Sequence, residues 1–217
     1  MTPAPPPEGD AGSRRVREPD TDPETQPETE PGSGTGSGAR GRAVGSRRRA
    51  VVVLAVAAAI VVLVDLVTKQ LAVALLAGAE PVRLLGGAVY LIYATNSGAA
   101  FSLGSSYTFV FPFIAVAVAV AIGVMAWRLR SVPWAVALGL VLGGATGNLG
   151  DRLFRPPGPL LGEVVDMISL FDPYGRAWPV FNAADSALVA GVAFAVWLEL
   201  TGRRRDGTRG SSRDGEA

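Results

Sequence analysis

The sequence predicts a mainly α-helical membrane protein, a bundle of four transmembrane helices with a small extracytoplasmic sheet. Of its 217 residues, 49% are hydrophobic and only 18% are charged, and the apolar residues are concentrated in long runs. Three arginine clusters flank these runs. A chain that crosses the membrane four times, with both termini in the cytoplasm, would have all three clusters on the cytoplasmic side. Glycine-rich sequence with short apolar pieces separates the first two runs, which is typical of strands.

Residues 1–46 are predicted to form a disordered cytoplasmic N-terminal tail. They are rich in Pro, Gly, Ser, Thr, Glu and Asp and have almost no large apolar side chains, so burial cannot offset the entropy lost on ordering. A cleavable signal peptide is not expected, because the first apolar run begins only near Ala50 and is too long. The membrane domain is therefore expected to span residues 47–203, followed by a second disordered cytoplasmic tail over residues 204–217.

The first transmembrane helix is predicted from Ala50 to about Leu76, since about 20 apolar residues cross the hydrocarbon core. The preceding arginines, 47–49, are expected to stay in the cytoplasm, which directs the other end outward. Asp65 and Lys69 lie on one helix face near that outer end and predict an intrahelical ion pair. Lys69 as the base of a serine hydrolase is an alternative, but no serine lies in a comparably marked setting.

Two short apolar segments, 82–85 and 89–93, predict strands of the extracytoplasmic sheet. The segment that follows begins with Asn96, whose amide can both donate and accept hydrogen bonds. Small residues after it, including Gly98, allow close approach of the backbone. This end of the sheet is therefore a candidate part of a site.

The second helix is predicted from Phe109 to about Trp127, and arginines 128 and 130 follow it. The third is predicted from about Pro133 to Gly150, with a glycine-rich outer end at 143–147 that allows close helix packing.

Residues 153–183 are predicted to form a second outer segment with several prolines. The fourth helix is predicted from Ala184 to about Thr201, before arginines 203–205. This topology puts all three arginine clusters on the cytoplasmic side.

Asp166 and Asp185 are the candidate catalytic pair. The chain has no histidine and no cysteine, which excludes a Ser-His-Asp triad, a thiol nucleophile and a thiolate metal site. Two neighbouring carboxylates cannot both ionise easily, so they titrate as a pair with an acid role and a base role. The simpler interpretation is that Asp166 is a solvated loop residue and Asp185 an acid favoured at a helix N-terminus.

Further polar residues flank this pair in the sequence. Asn182 is placed to cap the fourth helix, and that cap would also fix where Asp185 points. Asp151 and Arg152 predict an ion pair at the mouth of the third helix. Asn148, one turn earlier, is expected either to join that network or to make a polar contact between helices.

Five blocks in order resemble lipoprotein signal peptidase (signal peptidase II), a membrane aspartic protease that trims lipid-modified prolipoproteins. The resemblance covers roughly residues 50–200 and implies four transmembrane helices, an extracytoplasmic β-cradle and a short periplasmic helix. Residues 154–162 look longer and richer in proline than the usual link. The blocks are Asp65–Lys69, Asn96–Phe101, Gly143–Arg152, Val164–Asp166 and Phe181–Ser186.

By that resemblance, Asp166 and Asp185 match the catalytic dyad, which cleaves on the N-terminal side of a diacylglyceryl-modified cysteine without metal or cofactor. The implied partners are lipid-modified prolipoproteins and membrane lipids, with no nucleic acid, and a monomer is expected. The implied location is the plasma membrane of a bacterium, with both termini cytoplasmic and the active site near the outer face. The positions matching substrate-binding or supporting residues are Asp65, Lys69, Asn96, Gly98, Asn148, Asp151, Arg152, Asn182 and Ala184.

Two other classes of protein fit parts of the pattern. A small transporter or channel also carries acids within helices, but transporter sites usually lie near the bilayer midplane, whereas these acids cluster toward one face. A non-catalytic anchor subunit explains the helices but not the polar residues gathered on one side. The sequence therefore favours the peptidase.

Overall fold

The chain is mostly helical, with a small antiparallel sheet. The computed structural model describes residues 36–98 and 108–208. Within these ranges three helices are long and apolar enough to cross a membrane, while a fourth apolar helix has 17 residues. The helices are α1 (Gly36–Leu76), α2 (Val110–Ala126), α3 (Val132–Phe154) and α4 (Ala183–Leu200), and the strands are β1 (Val82–Leu84), β2 (Val89–Asn96) and β3 (Val164–Leu170).

The helix bounds agree with the predicted ones to within a few residues, except that α1 begins at Gly36, inside the predicted N-terminal tail. The part of α1 that is long and apolar enough to cross a membrane is Ser46–Leu76. A turn extends to Thr208 after α4, and the other residues of both predicted tails lie outside the described ranges. Disorder in the tails therefore stays a prediction.

Helix α3 lies at the centre of the bundle and packs closely on α1 through glycine. A methyl group at Gly139 would lie 2.8 Å from the Leu54 carbonyl oxygen, and one at Gly143 would lie 2.8 Å from the Ala58 carbonyl oxygen. These distances are too short for any side chain, so the backbones approach as small residues permit in membrane helices. The prediction of close packing at 143–147 is confirmed.

The three strands form one antiparallel sheet in the order β1-β2-β3. β1 and β2 confirm the two predicted strands. β3 was not predicted, because Val164 to Met167 are all buried and so lack the polar-apolar alternation of a half-exposed strand. Among the described residues the only short helix is the 3₁₀ turn Leu85–Gly87, which leaves the implied periplasmic helix unconfirmed, and Ala99–Phe101 lie outside those residues.

Backbone hydrogen bonds fix which parts of the chain share an end of the bundle. The N–H groups of Arg130 and Ser131 donate to the Arg205 carbonyl at 3.0 and 3.1 Å, which holds the α2–α3 turn beside the chain that leaves α4. We call this the arginine end. At the other end, Phe181 and Ile168 exchange backbone hydrogen bonds of 2.9 and 3.0 Å, so the chain entering α4 lies along β3.

Candidate active site

The bridge between Phe181 and Ile168 brings Asp166 and Asp185 to one cavity of about 310 Å³. Asp166 lies on β3, two residues before the bridge, and Asp185 lies in the first turn of α4. The two carboxylates that were singled out in the sequence therefore face a common space. Other predicted residues that line it are Asn96, Gly98, Asn148 and Arg152.

Asp166 is a buried strand residue with 2% of its surface exposed, so the interpretation as a solvated loop residue is wrong. Burial, and then the nearby Asp185 carboxylate, raise the pKa of Asp166 to about 7. Two amide donors oppose that rise: Asn96 Nδ2 lies 3.1 Å from Oδ2, and Asn182 Nδ2 lies 2.7 Å from Oδ1. Asp166 can therefore exchange a proton near neutral pH.

Asp185 sits in a capping box at the start of α4. Asn182 Oδ1 accepts from the Asp185 N–H at 2.9 Å, and Asp185 Oδ2 accepts from the Asn182 N–H at 3.2 Å. The predicted cap is confirmed. Asn148 Nδ2 donates to Asp185 Oδ1 at 2.7 Å, so both carboxylate oxygens act as acceptors.

The orientation of the Asn148 amide follows from its neighbours. Its Oδ1 accepts from Lys69 Nζ at 3.0 Å and from Asn182 Nδ2 at 3.2 Å. Because an ammonium group only donates, the oxygen must face Lys69, and the NH₂ group is left to donate to Asp185. Asn148 on α3 thus contacts Lys69 on α1 and Asp185 on α4, which confirms the predicted polar contact between helices. It joins the carboxylate pair to a set of charges on its other side.

Those charges form a buried network centred on Lys69, which is 1% exposed. Its Nζ contacts Asp65 Oδ2 at 2.7 Å, Asp151 Oδ2 at 2.8 Å and the Asn148 oxygen, which matches its three N–H donors. The predicted intrahelical pair of Asp65 and Lys69 is confirmed. Asp65 Oδ1 also accepts from the Ala184 N–H at 3.0 Å, which fixes the start of α4 against α1.

The predicted ion pair between Asp151 and Arg152 is not formed. Adjacent residues point in different directions on a helix, and in the described part of the chain Asp151 pairs instead with Lys69 and with Arg155, four residues along. Arg152 is buried, lines the cavity and lies over the Phe111 ring, 4.8 Å from its centre. Arg155 was missed, although its i+4 spacing from Asp151 was a usable signal.

Asp151 and Gly98 each position a strand residue. Asp151 Oδ2 accepts from the Val165 N–H on β3 at 3.2 Å. Gly98 has a φ of +98° and donates its N–H to Asn96 Oδ1 at 2.7 Å, which leaves the Asn96 amide nitrogen for Asp166. A side chain at Gly98 would overlap the Phe111 ring. These contacts explain two of the supporting positions.

Gly147 provides a test of how tightly Asp65 is held. A methyl group there would lie 2.6 Å from Asp65 Oδ2, so Gly147→Ala should displace the carboxylate and lower the free energy of unfolding by about 1–3 kcal/mol. Gly150→Ala is the matched control, because that methyl group would meet no atom within 4 Å and the same helix gains the same propensity. Chemical denaturation in detergent measures both. Equal stability of the two variants would contradict this contact.

The sequence model of the signal peptidase (SPase) II family matches residues 57–201 of this chain. The lipoprotein signal peptidase of Mycolicibacterium smegmatis is 46% identical over 169 residues, which cover 78% of this chain and 69% of that protein. The lipoprotein signal peptidase of Mycobacterium avium is 49% identical over 155 residues, which cover 71% of this chain and 82% of that protein.

Two solved structures of bacterial membrane enzymes, both determined by the in meso method, share the fold. The one at 1.9 Å resolution has a TM-score of 0.58 and 28% identity, and the match covers 67% of this chain and 90% of that one. The one at 2.3 Å has a TM-score of 0.57 and 26% identity, with coverages of 74% and 93%. The likeness extends over nearly the whole of both neighbours.

Proposed function

The chain belongs to the signal peptidase II family, and from that premise we propose that it is an aspartic endopeptidase of lipoprotein maturation. It removes the signal peptide from diacylglyceryl-modified prolipoproteins by cleaving on the N-terminal side of the lipidated cysteine. The observation that carries the proposal is the pair formed by a buried Asp166 and a half-buried Asp185 at one cavity, with a pKa of about 7 for Asp166. The supporting residues are those that hold this pair: Asp65, Lys69, Asn96, Gly98, Asn148, Asp151, Arg152, Asn182 and Ala184.

The proposed topology has four crossings of a bacterial plasma membrane, with both termini cytoplasmic. The 17 residues of α2 span about 26 Å, close to the thickness of the hydrocarbon core. The arginine end is proposed to be cytoplasmic under the positive-inside bias. The carboxylate pair lies at the opposite end of α3 and α4, which supports an active site near the outer face. We propose that the chain acts as a monomer, since one chain supplies both carboxylates.

The cavity suits a substrate that is partly lipid. Apolar side chains from α2, α3 and α4 line it beside the carboxylates, including Ile114, Val118 and Leu188. We propose that the diacylglyceryl chains lie among these helices in the bilayer. The peptide bond that precedes the modified cysteine then lies next to the carboxylates, so membrane position supplies much of the specificity.

In the proposed reaction Asp185 is the base and Asp166 the acid. Asp185 accepts a proton from water while the water oxygen bonds to the scissile carbonyl carbon. Asp166 gives its proton to the leaving nitrogen as the carbon–nitrogen bond breaks. The proton then on Asp185 must return to Asp166 before the next turnover. Within the described residues, both hydrogen bonds of the Asp185 carboxylate are ones that it accepts, which suits the base.

The pH dependence of cleavage should report the Asp166 proton. Because the acid form is required and its pKa is about 7, kcat/KM should fall above pH 7, approaching tenfold per pH unit. Asn96→Ala removes a donor that favours the ionised form, so the basic limb should move to higher pH. Folding stability should depend on pH through the same group. Because the pKa of Asp166 is raised in the folded protein, its contribution to the free energy of unfolding is present below about pH 4 and is lost as pH rises through about 7.

Thr95→Ala is the matched control for that shift, since Thr95 is exposed on the opposite face of β2. Its profile should overlay that of the wild type. An unchanged basic limb in Asn96→Ala would contradict the assignment of that limb to Asp166.

A purified-enzyme assay tests the proposed function. The full chain is incubated with a diacylglyceryl-modified precursor and with the same precursor lacking the lipid, and products are identified by mass spectrometry. We expect one cut, before the modified cysteine, and cleavage of the unmodified precursor slower by about 100-fold or more, because remote binding energy is lost. Equal cleavage of both precursors, or a cut elsewhere, would refute the proposal.

A further inference from the structure

A second cavity, of about 800 Å³, lies at the arginine end of the bundle. It opens between the last turn of α2 and the residues that follow α4, far along both helices from the carboxylate pair. Three arginines line it, Arg128, Arg204 and Arg205, together with two acids, Glu199 and Asp206. These charges leave one positive charge in excess, and none of them takes part in the proposed reaction.

The residues that follow α4 and carry Arg205 are held against the α2–α3 turn and Trp134. The Arg205 carbonyl accepts from two backbone N–H groups of the α2–α3 turn, and its guanidinium lies 5.4 Å from the centre of the Trp134 ring. The neighbouring Arg203 carbonyl accepts from Trp134 Nε1 at 2.6 Å. These contacts fix the backbone of residues 203–205 and hold the Arg205 side chain beside Trp134.

Two of the arginines have donors to spare. Arg128 and Arg204 are exposed, and within the described residues neither makes a salt bridge. A guanidinium group presents several N–H donors in a planar fork that fits two oxygens of a phosphate. The cavity therefore offers uncommitted phosphate donors beside a fixed third arginine.

The rest of the surroundings are apolar. Val120 and Val124 on α2 are 61% and 68% exposed, and Val196 on α4 is 52% exposed. Trp127, at the end of α2, is 75% exposed, as is typical of an aromatic residue at the membrane interface. A ligand that satisfies both parts of this surface has an anionic head and long apolar chains.

We propose that this cavity binds an anionic phospholipid of the leaflet at the arginine end. Its phosphate lies among Arg128, Arg204 and Arg205, and its acyl chains lie against the exposed faces of α2 and α4. Basic pockets between transmembrane helices at the membrane surface bind anionic headgroups in this way. The lipid at this site is a structural ligand of the protein, separate from the substrate.

Native mass spectrometry of the full chain in detergent tests the proposal with phosphatidylglycerol and phosphatidylcholine as probes. Wild type should retain phosphatidylglycerol and lose phosphatidylcholine under the same activation energy. The double variant Arg128→Gln/Arg204→Gln should bind phosphatidylglycerol about 30-fold more weakly, as expected for two surface arginines. The control Arg47→Gln/Arg48→Gln removes the same charge in the first turn of the first candidate span, outside the cavity, and should bind within about twofold of wild type.

Equal weakening in both double variants would reduce the effect to general surface charge and overturn the proposal. Retention of the lipid by the Arg128→Gln/Arg204→Gln variant, or equal retention of the two lipids by wild type, would also overturn it. Displacement of the lipid by millimolar inorganic phosphate would also overturn it, because the site would then recognise the phosphate group alone. If the glutamine variant fails to fold, Glu199→Gln provides the second test: removing an acid from the cavity should tighten phosphatidylglycerol binding, and unchanged or weaker binding would contradict the site.

Discussion

Asp166→Asn and Asp185→Asn are each expected to lower kcat for cleavage of a lipid-modified precursor by about a thousand-fold or more. Asparagine at 166 has no proton to give to the leaving nitrogen, and asparagine at 185 cannot accept one from water. Because the two act as a unit, the double variant should be little worse than either single variant. Initial rates with purified protein, at substrate concentrations well above KM, measure this loss.

Asp172→Asn is the matched control for the charge change. Asp172 follows β3 in the chain and accepts a hydrogen bond from the Tyr174 N–H at 2.7 Å, but it does not line the cavity. The cleavage rate of Asp172→Asn should stay within about twofold of the wild-type rate, since the substitution changes no group in the site. Thermal unfolding of each variant separates lost chemistry from lost folding. Full activity in either Asp166→Asn or Asp185→Asn would end the assignment of a catalytic pair.

Lys69→Met is expected to lower the free energy of unfolding by about 3–5 kcal/mol, the largest stability effect that the structure predicts for one substitution. Lys69 is almost fully buried and lies between Asp65 and Asp151. Methionine fills a similar volume but leaves Asp65 buried without a cation and Asp151 with Arg155 as its one remaining cation in the described residues. Chemical denaturation in detergent gives the change, and precursor cleavage should fall with it because Asn148 loses the donor that orients it.

Arg155→Met removes the other cation that pairs with the Asp151 carboxylate. Arg155 also pairs with Asp151, but its side chain is 20% exposed, so its loss should cost no more than about 1 kcal/mol. The triple variant Asp65→Asn/Lys69→Met/Asp151→Asn removes the three buried charges and leaves only the partly exposed Arg155 without its partner. It should therefore recover most of the stability lost by Lys69→Met. Equal losses for Lys69→Met and Arg155→Met would contradict the buried network.

The features that the sequence predicted well are local ones. Apolar run lengths locate the helices, and the Asn182 cap is a spacing of three residues within one helix turn. The pair of Asp65 and Lys69 follows from i+4 spacing in the same way. Each of these depends on neighbours in the chain, so no knowledge of the tertiary fold was needed.

The features that were missed depend on long-range packing. β3 is buried on both faces, so its sequence shows no alternation, and the bridge from Ile168 to Phe181 has no sequence signal. Without them the chain offers no reason for Asp166 and Asp185 to meet. Lys69 reaches Asp151 across more than 80 residues of chain, and no spacing rule predicts that contact.

The two carboxylates have different surroundings, which suits the two different roles proposed for them. Asp166 is buried on a strand and reaches a pKa of about 7, although two amides donate to it. Asp185 lies in the first turn of α4, where its carboxylate accepts hydrogen bonds from the Asn182 N–H and from Asn148. The three asparagines that orient the pair, Asn96, Asn148 and Asn182, are therefore as much a part of the proposed catalyst as the acids are.

The most direct test of this account is the fate of lipoproteins in a bacterium depleted of the chain. Immunoblotting and mass spectrometry of a lipoprotein should show the diacylglyceryl-modified precursor accumulating with its signal peptide uncleaved. Wild type should restore the mature form, whereas Asp166→Asn and Asp185→Asn, expressed to the same level in the membrane, should not. Normal maturation without the chain, or full rescue by either variant, would contradict the account.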